Sequence, residues 1–330
     1  EDTASKILAI ESAIRTDFEA CDLKWTLFVA AAQSYRSASL LKPFPPKYVD
    51  GEKCNIEHLL SAISQTPPLQ VVLRRITYED HLNLCVVDLL HWVLVEHPSP
   101  TLKSIETDFV PIMYKVPFTQ RCPRPTHLFE VIYPSTSKAE KVFEEYAEEF
   151  GSKFAFHGSK IDSFHSILTH GLNQHLCKTA LFGEGIYLSS ELTVSLNFSP
   201  YGSAWGGSAI GSHLSAVALC EYIEHPQHAS FHVDTNKTNK VPDKYTVITN
   251  NDIVRVRYLL VFATKPVINP PTLTNVALKW MIKHKFSISI SMYMLLLVSI
   301  GFANSKSYDY VKHIVERKLS TAYNFIRKIF

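Results

Sequence analysis

A chain of 330 residues with 46% apolar residues can bury a sizeable core, and its length is that of two domains rather than one, which excludes a low-complexity or disordered chain. The formal net charge of +2 gives no broad basic field, so long-range attraction offers no argument for nucleic acid as a partner. Six cysteines (Cys21, Cys54, Cys85, Cys122, Cys177 and Cys220) stand far apart without a C-x-x-C pair and read as free thiols of a reducing compartment.

Residues 1–97 are expected to form an α-helical, regulatory domain. The opening "EDTASKILAIESAIRTDF" is charged and amphipathic and carries no secretory signal. Ile7, Ile10, Ile14 and Phe18 recur at helical steps, as do Ile56, Leu59, Leu60 and Ile63. A broad apolar face of Leu82, Cys85, Val86, Leu89, Leu90 and Val93 then ends at "HPSP". "KPFPPKY" and "TPPLQ" break these helices. Residues 98–125 hold six of the eighteen prolines and read as a Pro-rich connector.

The character changes over residues 126–268. "HLFEVIY" and "KFAFHGS" alternate like strands, and between them "SKAEKVFEEYAEEFG" reads as a helix closed by Gly151. "KIDSFHSILTHGL" predicts a helix capped by Asp162, with Ile161, Phe164, Ile167 and Leu168 inward and a stop at Gly171. Further strands are predicted at "HLSAVALCEYIEH", "KYTVIT" and "VRVRYLLVFATK", with a polar loop between His225 and Asp243. Nine of the eleven glycines lie between residues 151 and 211, so their purpose belongs to this domain. His165, His170 and His175 step around a helix instead of lining one face, and no metal site is expected.

Residues 286–303, "FSISISMYMLLLVSIGFA", carry no charge. As a helix they would span roughly 27 Å, near the hydrocarbon thickness of a thin bilayer. Lys279, Lys283 and Lys285 precede them, with Trp280 at interfacial depth, so a single transmembrane helix is expected. The short tail, residues 304–330, is as basic as the upstream flank and leaves orientation by charge open. Tyr310, Ile314, Val315, Leu319 and Tyr323 give it an amphipathic pattern. A tail anchor, with all six cysteines upstream of it, places the bulk of the chain in the cytosol.

"LFGEGIYLSS" (residues 181–190) lacks the third glycine and the following helix of a dinucleotide loop, and it lacks the lysine of a Walker loop. "FHGSK" holds His157 and Ser159 but no nucleophile elbow, so a hydrolase is not supported. In their order and spacing, "FHGS", "LFGEGIYL" and "KYTVITNNDIVRVRYLLVF" resemble the catalytic domain of the poly(ADP-ribose) polymerase family over residues 126–265. With the helical N-terminal part and the anchor, the layout is similar to that of a small, tail-anchored, mono-ADP-ribosylating member of the endoplasmic reticulum membrane.

The resemblance implies an α+β chain: the N-terminal α-helical domain, an ADP-ribosyltransferase fold of split mixed β-sheet with short helices, and the transmembrane helix. It implies NAD as co-substrate, no metal, and transfer of ADP-ribose to protein acceptors with release of nicotinamide. The family's triad falls on His157, Tyr187 and Tyr245. By the same resemblance His157 bonds the adenine-side ribose, Gly158 holds the nicotinamide carboxamide through its backbone, and Ser159 contacts ribose. Tyr187 and Phe198 stack on the nicotinamide ring, and Ser195 bonds the carboxamide. The two glycines around Glu184 would leave room for the nicotinamide end, and Glu184 itself gains no role.

Polymerases carry a glutamate at the third triad position, where this chain has Tyr245. A tyrosine hydroxyl bonds a ribose but is a weak general base near neutral pH, so single ADP-ribose units are expected. Asp243, two residues earlier on the same strand face, is an alternative source of an acid. Expected partners are NAD, protein acceptors at the membrane surface and the bilayer through residues 286–303. An NAD sensor or a membrane-tethered scaffold is the competing reading.

Overall fold

The computed structural model describes residues 2–78, 82–97, 99–106, 109–116, 123–174, 184–230, 244–264, 285–303, 310 and 313–320. Cys122, His175, Cys177, Gly183, Asp243, Lys279, Trp280 and Lys283 lie outside them. The chain divides into two units, Glu1–Pro266 and Val267–Phe330.

The first unit opens with helices α1 (Thr3–Thr16) and α2 (Phe18–Gln33), and Asp2 and Asp17 cap them by accepting from Ser5 N and Ala20 N. After the turn α3 (Ser37–Leu40) comes a small hairpin, β1 (Val49–Asp50) and β2 (Lys53–Cys54), which the helical stripes did not announce. Helices α4 (Ile56–Gln65), α5 (Leu69–Thr77) and α6 (Leu84–His91) complete the helical part. The connector is not merely extended: it holds strand β3 (Thr101–Ser104) and the turn α7 (Val110–Met113).

Then follow β4 (His127–Ile132), α8 (Lys138–Phe150), β5 (Ser152–Ser159), α9 (Phe164–His170), β6 (Ile186–Ser189), α10 (Leu192–Leu196) and β7 (Gly202–Ser203). The last strands are β8 (His213–Ile223), β9 (Ala229–Ser230), β10 (Tyr245–Ile248) and β11 (Val254–Ala263). They form one sheet in the order β3-β4-β11-β8-β5-β6-β10-β9, with β7 beside β8. The expected mixed sheet is corrected here. Every strand pair among the described residues is antiparallel. The expected split is present: β5 pairs with β8 along its whole length but with β6 at a single position, Phe156 against Ser189.

Helix α2 has almost no exposed face because it lies between two cores. Ala20, Leu23, Leu27 and Ala30 pack into the core of the sheet, whereas Trp25, Phe28, Val29 and Ala31 pack into that of the helices. Polar bonds reinforce the seam. Asp22, buried, accepts from the hydroxyl of Ser208 and from the amides of Ala209 and Ile210, and Asp17 accepts from Ser104 N at 2.7 Å. The helical part and the sheet are therefore one compact body with a continuous interior.

In the second unit a helix covers Lys285–Ala303, with side chains described from Phe286 to Gly301, and residues 313–320 are helical. Ile290, Met292 and Leu295 to Val298 on it are exposed. Among the described residues no helix is long and apolar enough to cross a membrane, and the expected span 286–303 runs past the described side chains.

Candidate active site

The site lies where the sheet parts. Beyond the Phe156–Ser189 pair, β5 and β6 share no further ladder position, and a side chain crosses in its place: His157 Nδ1 lies 2.9 Å from the carbonyl oxygen of Tyr187. A carbonyl only accepts, so Nδ1 carries the proton and Nε2 is left as an acceptor. Burial pushes the imidazole below the ordinary histidine value, and the bond to Tyr187 opposes this only partly, so the ring is neutral near pH 7.

The next residue explains its own identity. A Cβ on Gly158 would sit 1.9 Å from the carbonyl oxygen of Ser195, 2.8 Å from its carbon and 3.0 Å from Ser199 Oγ. Helix α10 is thus laid directly on the backbone of β5, an approach only glycine permits. Ser195, 2% exposed, donates its hydroxyl to the carbonyl of Phe156 at 3.1 Å. Ser199 Oγ accepts from the amide of Ser159 at 3.0 Å. His157, Gly158, Ser159 and Ser195 are therefore held as one assembly at the end of β5.

Tyr245 enters from the other side of the split. Strand β10 pairs with β6, placing Tyr245 opposite Ser189 and Val247 opposite Tyr187. Tyr245 and Tyr187 so belong to adjacent strands, two ladder positions apart. The start of β10 is pinned by Ser189, whose hydroxyl donates to the carbonyl of Lys244 at 2.9 Å, and by Ser190 N, which donates to the same oxygen at 3.1 Å. Ser189 Oγ also accepts from Glu191 N, at the entry to α10. Neither Ser189 nor Ser199 was singled out from the sequence. Ser189 stands in the quoted stretch "LFGEGIYLSS", whereas nothing local marks Ser199.

Phe198 follows α10 and is 47% exposed, unlike the buried Ser195 one turn before it, so its ring is not committed to a core. Glu184 is exposed. Gly185 does not leave room for a ligand. A Cβ there would meet Val247 Cγ1 at 2.5 Å and Ile248 O at 2.9 Å, so this glycine serves the packing of β6 on β10. Among the described residues no three His, Cys, Asp or Glu side chains are grouped to hold a metal ion.

Where the two strands part, His157 bridges the gap and a tyrosine stands on either strand of the far half, Tyr187 on β6 and Tyr245 on β10. Residues 113–241 match the poly(ADP-ribose) polymerase catalytic domain, and residues 12–94 match the ARTD15 N-terminal domain. The chain belongs to the poly(ADP-ribose) polymerase family. It is 36% identical over 318 residues to the human protein mono-ADP-ribosyltransferase PARP16, covering 92% of this chain and 96% of that protein. The mouse PARP16 is 35% identical over 332 residues, 95% of this chain and 99% of its relative. Mouse protein mono-ADP-ribosyltransferase PARP8 is more distant, at 26% over 298 residues, 76% of this chain and 32% of that protein.

Proposed function

We propose that this chain is an NAD-dependent protein mono-ADP-ribosyltransferase. The observation that carries the reading is the His157–Tyr187 bridge across the parted strands, with Gly158 bare of side chain beside it. The proposed adenine-side ribose donates a hydroxyl to His157 Nε2, the acceptor left by the fixed tautomer, with Ser159 beside it. The nicotinamide carboxamide meets the backbone of Gly158. Ser195 donates its hydroxyl hydrogen to the carbonyl oxygen of Phe156, and so its oxygen accepts from the carboxamide N–H. Tyr187 and the exposed Phe198 take the two faces of the nicotinamide ring.

In the reaction the bond between ribose C1′ and the nicotinamide nitrogen breaks, and its electron pair stays with nicotinamide, which leaves neutral from a positively charged pyridinium. The acceptor's nucleophilic atom forms the new bond at C1′ and releases its proton to solvent. The protein's contribution is to hold the dinucleotide, align the acceptor and limit attack by water. Tyr245 bonds the nicotinamide-side ribose. With no carboxylate at that position to activate a ribose hydroxyl as the next acceptor, transfer stops at one unit.

The proposal includes a membrane. Residues 286–303 are assigned as a single-pass anchor in the endoplasmic reticulum membrane with the first unit in the cytosol, and residues 1–97 as a helical part acting on the site. What supports the anchor is a nineteen-residue helix exposing apolar side chains all round, which water does not favour. The free thiols Cys21, Cys54, Cys85 and Cys220 suit a cytosolic bulk. Removing residues 286–303 should move the protein from the membrane pellet to the supernatant.

Incubating the full chain in detergent with NAD labelled in its adenylate tests the reaction. Label should enter protein with release of nicotinamide. If NAD raises the melting temperature but neither this protein nor a co-purified partner acquires label, the chain is an NAD sensor and not a transferase.

A further inference from the structure

Asp162 stands where its sequence predicts a helix cap, yet neither the 3-10 turn Ile161–Ser163 nor α9 receives a side-chain cap. Both of its carboxylate oxygens go elsewhere. Ser34, just after α2, donates its hydroxyl to Oδ2 at 2.7 Å, and Arg36 reaches Oδ1 at 3.4 Å as an ion pair. The same Arg36 Nη2 donates to Ser163 Oγ at 3.0 Å. The arginine's Nε is buried without a hydrogen-bond partner among the described residues, so Asp162 and Ser163 set its position.

The turn held in this way follows directly on the site strand, since Lys160 alone separates Ile161 from Ser159. Ile161 is buried and lies against Gly202, where a Cβ would come within 2.7 Å of its Cγ2. The turn is therefore fixed on one side by apolar packing and on the other by a bidentate grip from the helical part. Ser195, at the proposed nicotinamide end, is secured differently, through Phe156 and the backbone of Gly158.

We propose that Ser34 and Arg36 are positioning residues for the adenosine half of NAD. They hold the turn 160–163 so that His157 and Ser159 meet the adenine-side ribose in one geometry. The inference rests on the transferase reading and adds to it that the helical part supports co-substrate binding from outside the catalytic sheet. Loss of the grip frees the adenosine end and leaves the nicotinamide end, and the chemistry at C1′, in place.

The test uses the full chain in detergent and two probes, ADP-ribose and nicotinamide, with NAD kinetics alongside. Arg36→Ala should weaken ADP-ribose binding and raise the KM for NAD, each by about fivefold, the net scale of one ordinary hydrogen bond, with kcat and nicotinamide affinity unchanged. Arg36→Lys, which keeps the charge but not the planar guanidinium whose Nη2 reaches both Asp162 and Ser163, should recover part of the loss. Asp162→Ala, which also releases Ser34, should lose at least as much ADP-ribose binding as Arg36→Ala, and the double variant should lose less than the sum of the two, because they share the Arg36–Asp162 pair. Equal loss of both probes, or unchanged ADP-ribose binding in Arg36→Ala and Asp162→Ala, overturns the positioning role while leaving the transferase reading standing. A wild-type chain that binds neither probe and labels nothing overturns both.

Discussion

The imidazole of His157 donates from Nδ1 to the main-chain carbonyl of Tyr187 at 2.9 Å, beside the single ladder position, Phe156 against Ser189, that β5 and β6 share among the described residues. One bond thereby sets the tautomer, fixes the ring and ties the two halves of the sheet. Because burial keeps the folded-state value below 6.5, the imidazole remains neutral as the pH falls to that point, and protonation below it removes the Nε2 acceptor. The acid limb of kcat/KM for NAD should therefore lie below pH 6.5. His157→Ala should lower labelling by at least about a hundredfold, since it removes both the ribose acceptor and the bridge. Wild-type labelling by that variant would show that another group binds the ribose.

Gly158→Ala tests the close approach of α10. A methyl group 1.9 Å from the Ser195 carbonyl oxygen requires α10 to move, because the obstacle is backbone. Such overpacking costs about 1–3 kcal/mol, and the shift carries Ser195 and Ser199 away with the helix. Expected are a melting temperature lower by several degrees and loss of nicotinamide binding, read by thermal unfolding with and without nicotinamide. An alanine variant that melts and binds like wild type would mean that α10 does not rest on β5 in this way.

Much of the catalytic half was legible in the sequence. Strands β4, β5, β8, β10 and β11 carried long apolar or alternating runs, and α8 and α9 ended at Gly151 and Gly171, which indeed adopt φ of 77° and 78°. Strand β3 was not legible, because four residues among prolines are too few to establish an alternation. The two-residue strands β7 and β9 owe their existence to their partners. Helix α2 gave no one-sided stripe because it is buried between two cores. At the site, the motifs named the residues but not their supports. Asp162 read as a local cap, while its true partners, Ser34 and Arg36, lie more than a hundred residues away in sequence.

Tyr245 should decide the form of the product. Autoradiography of wild-type reactions should give discrete bands and no long smear, whatever the NAD concentration. Tyr245→Phe keeps the ring opposite Ser189 and removes the hydroxyl, so kcat/KM for NAD should fall by about tenfold, the scale of one hydrogen bond made to a bound ribose, with little change in melting temperature. A smear of chains from the wild-type protein would show that an acid acts at this position after all.

His97 and His165 predict how the fold responds to acid. Their rings meet at a tilt, 4.9 Å apart, between Trp92 and Phe28, and both nitrogens of His97 and Nε2 of His165 are buried without hydrogen-bond partners among the described residues. Burial, aided by Lys24 and the neighbouring histidines, holds His97 down to about 4 and His165 down to about 3. The unfolded chain protonates both near the ordinary value of 6.5, so below that pH it binds more protons than the native state. Stability should thus be level in this respect above pH 6.5 and fall as the pH drops toward 4, by about 1.4 kcal/mol per pH unit for each histidine. His165→Phe, of similar volume, should lessen that slope by one histidine's share around pH 5 while leaving stability at pH 7.5 unchanged or higher. Urea unfolding at the two pH values measures it, and an unaltered slope in His165→Phe would mean that this ring is already protonated in the native protein.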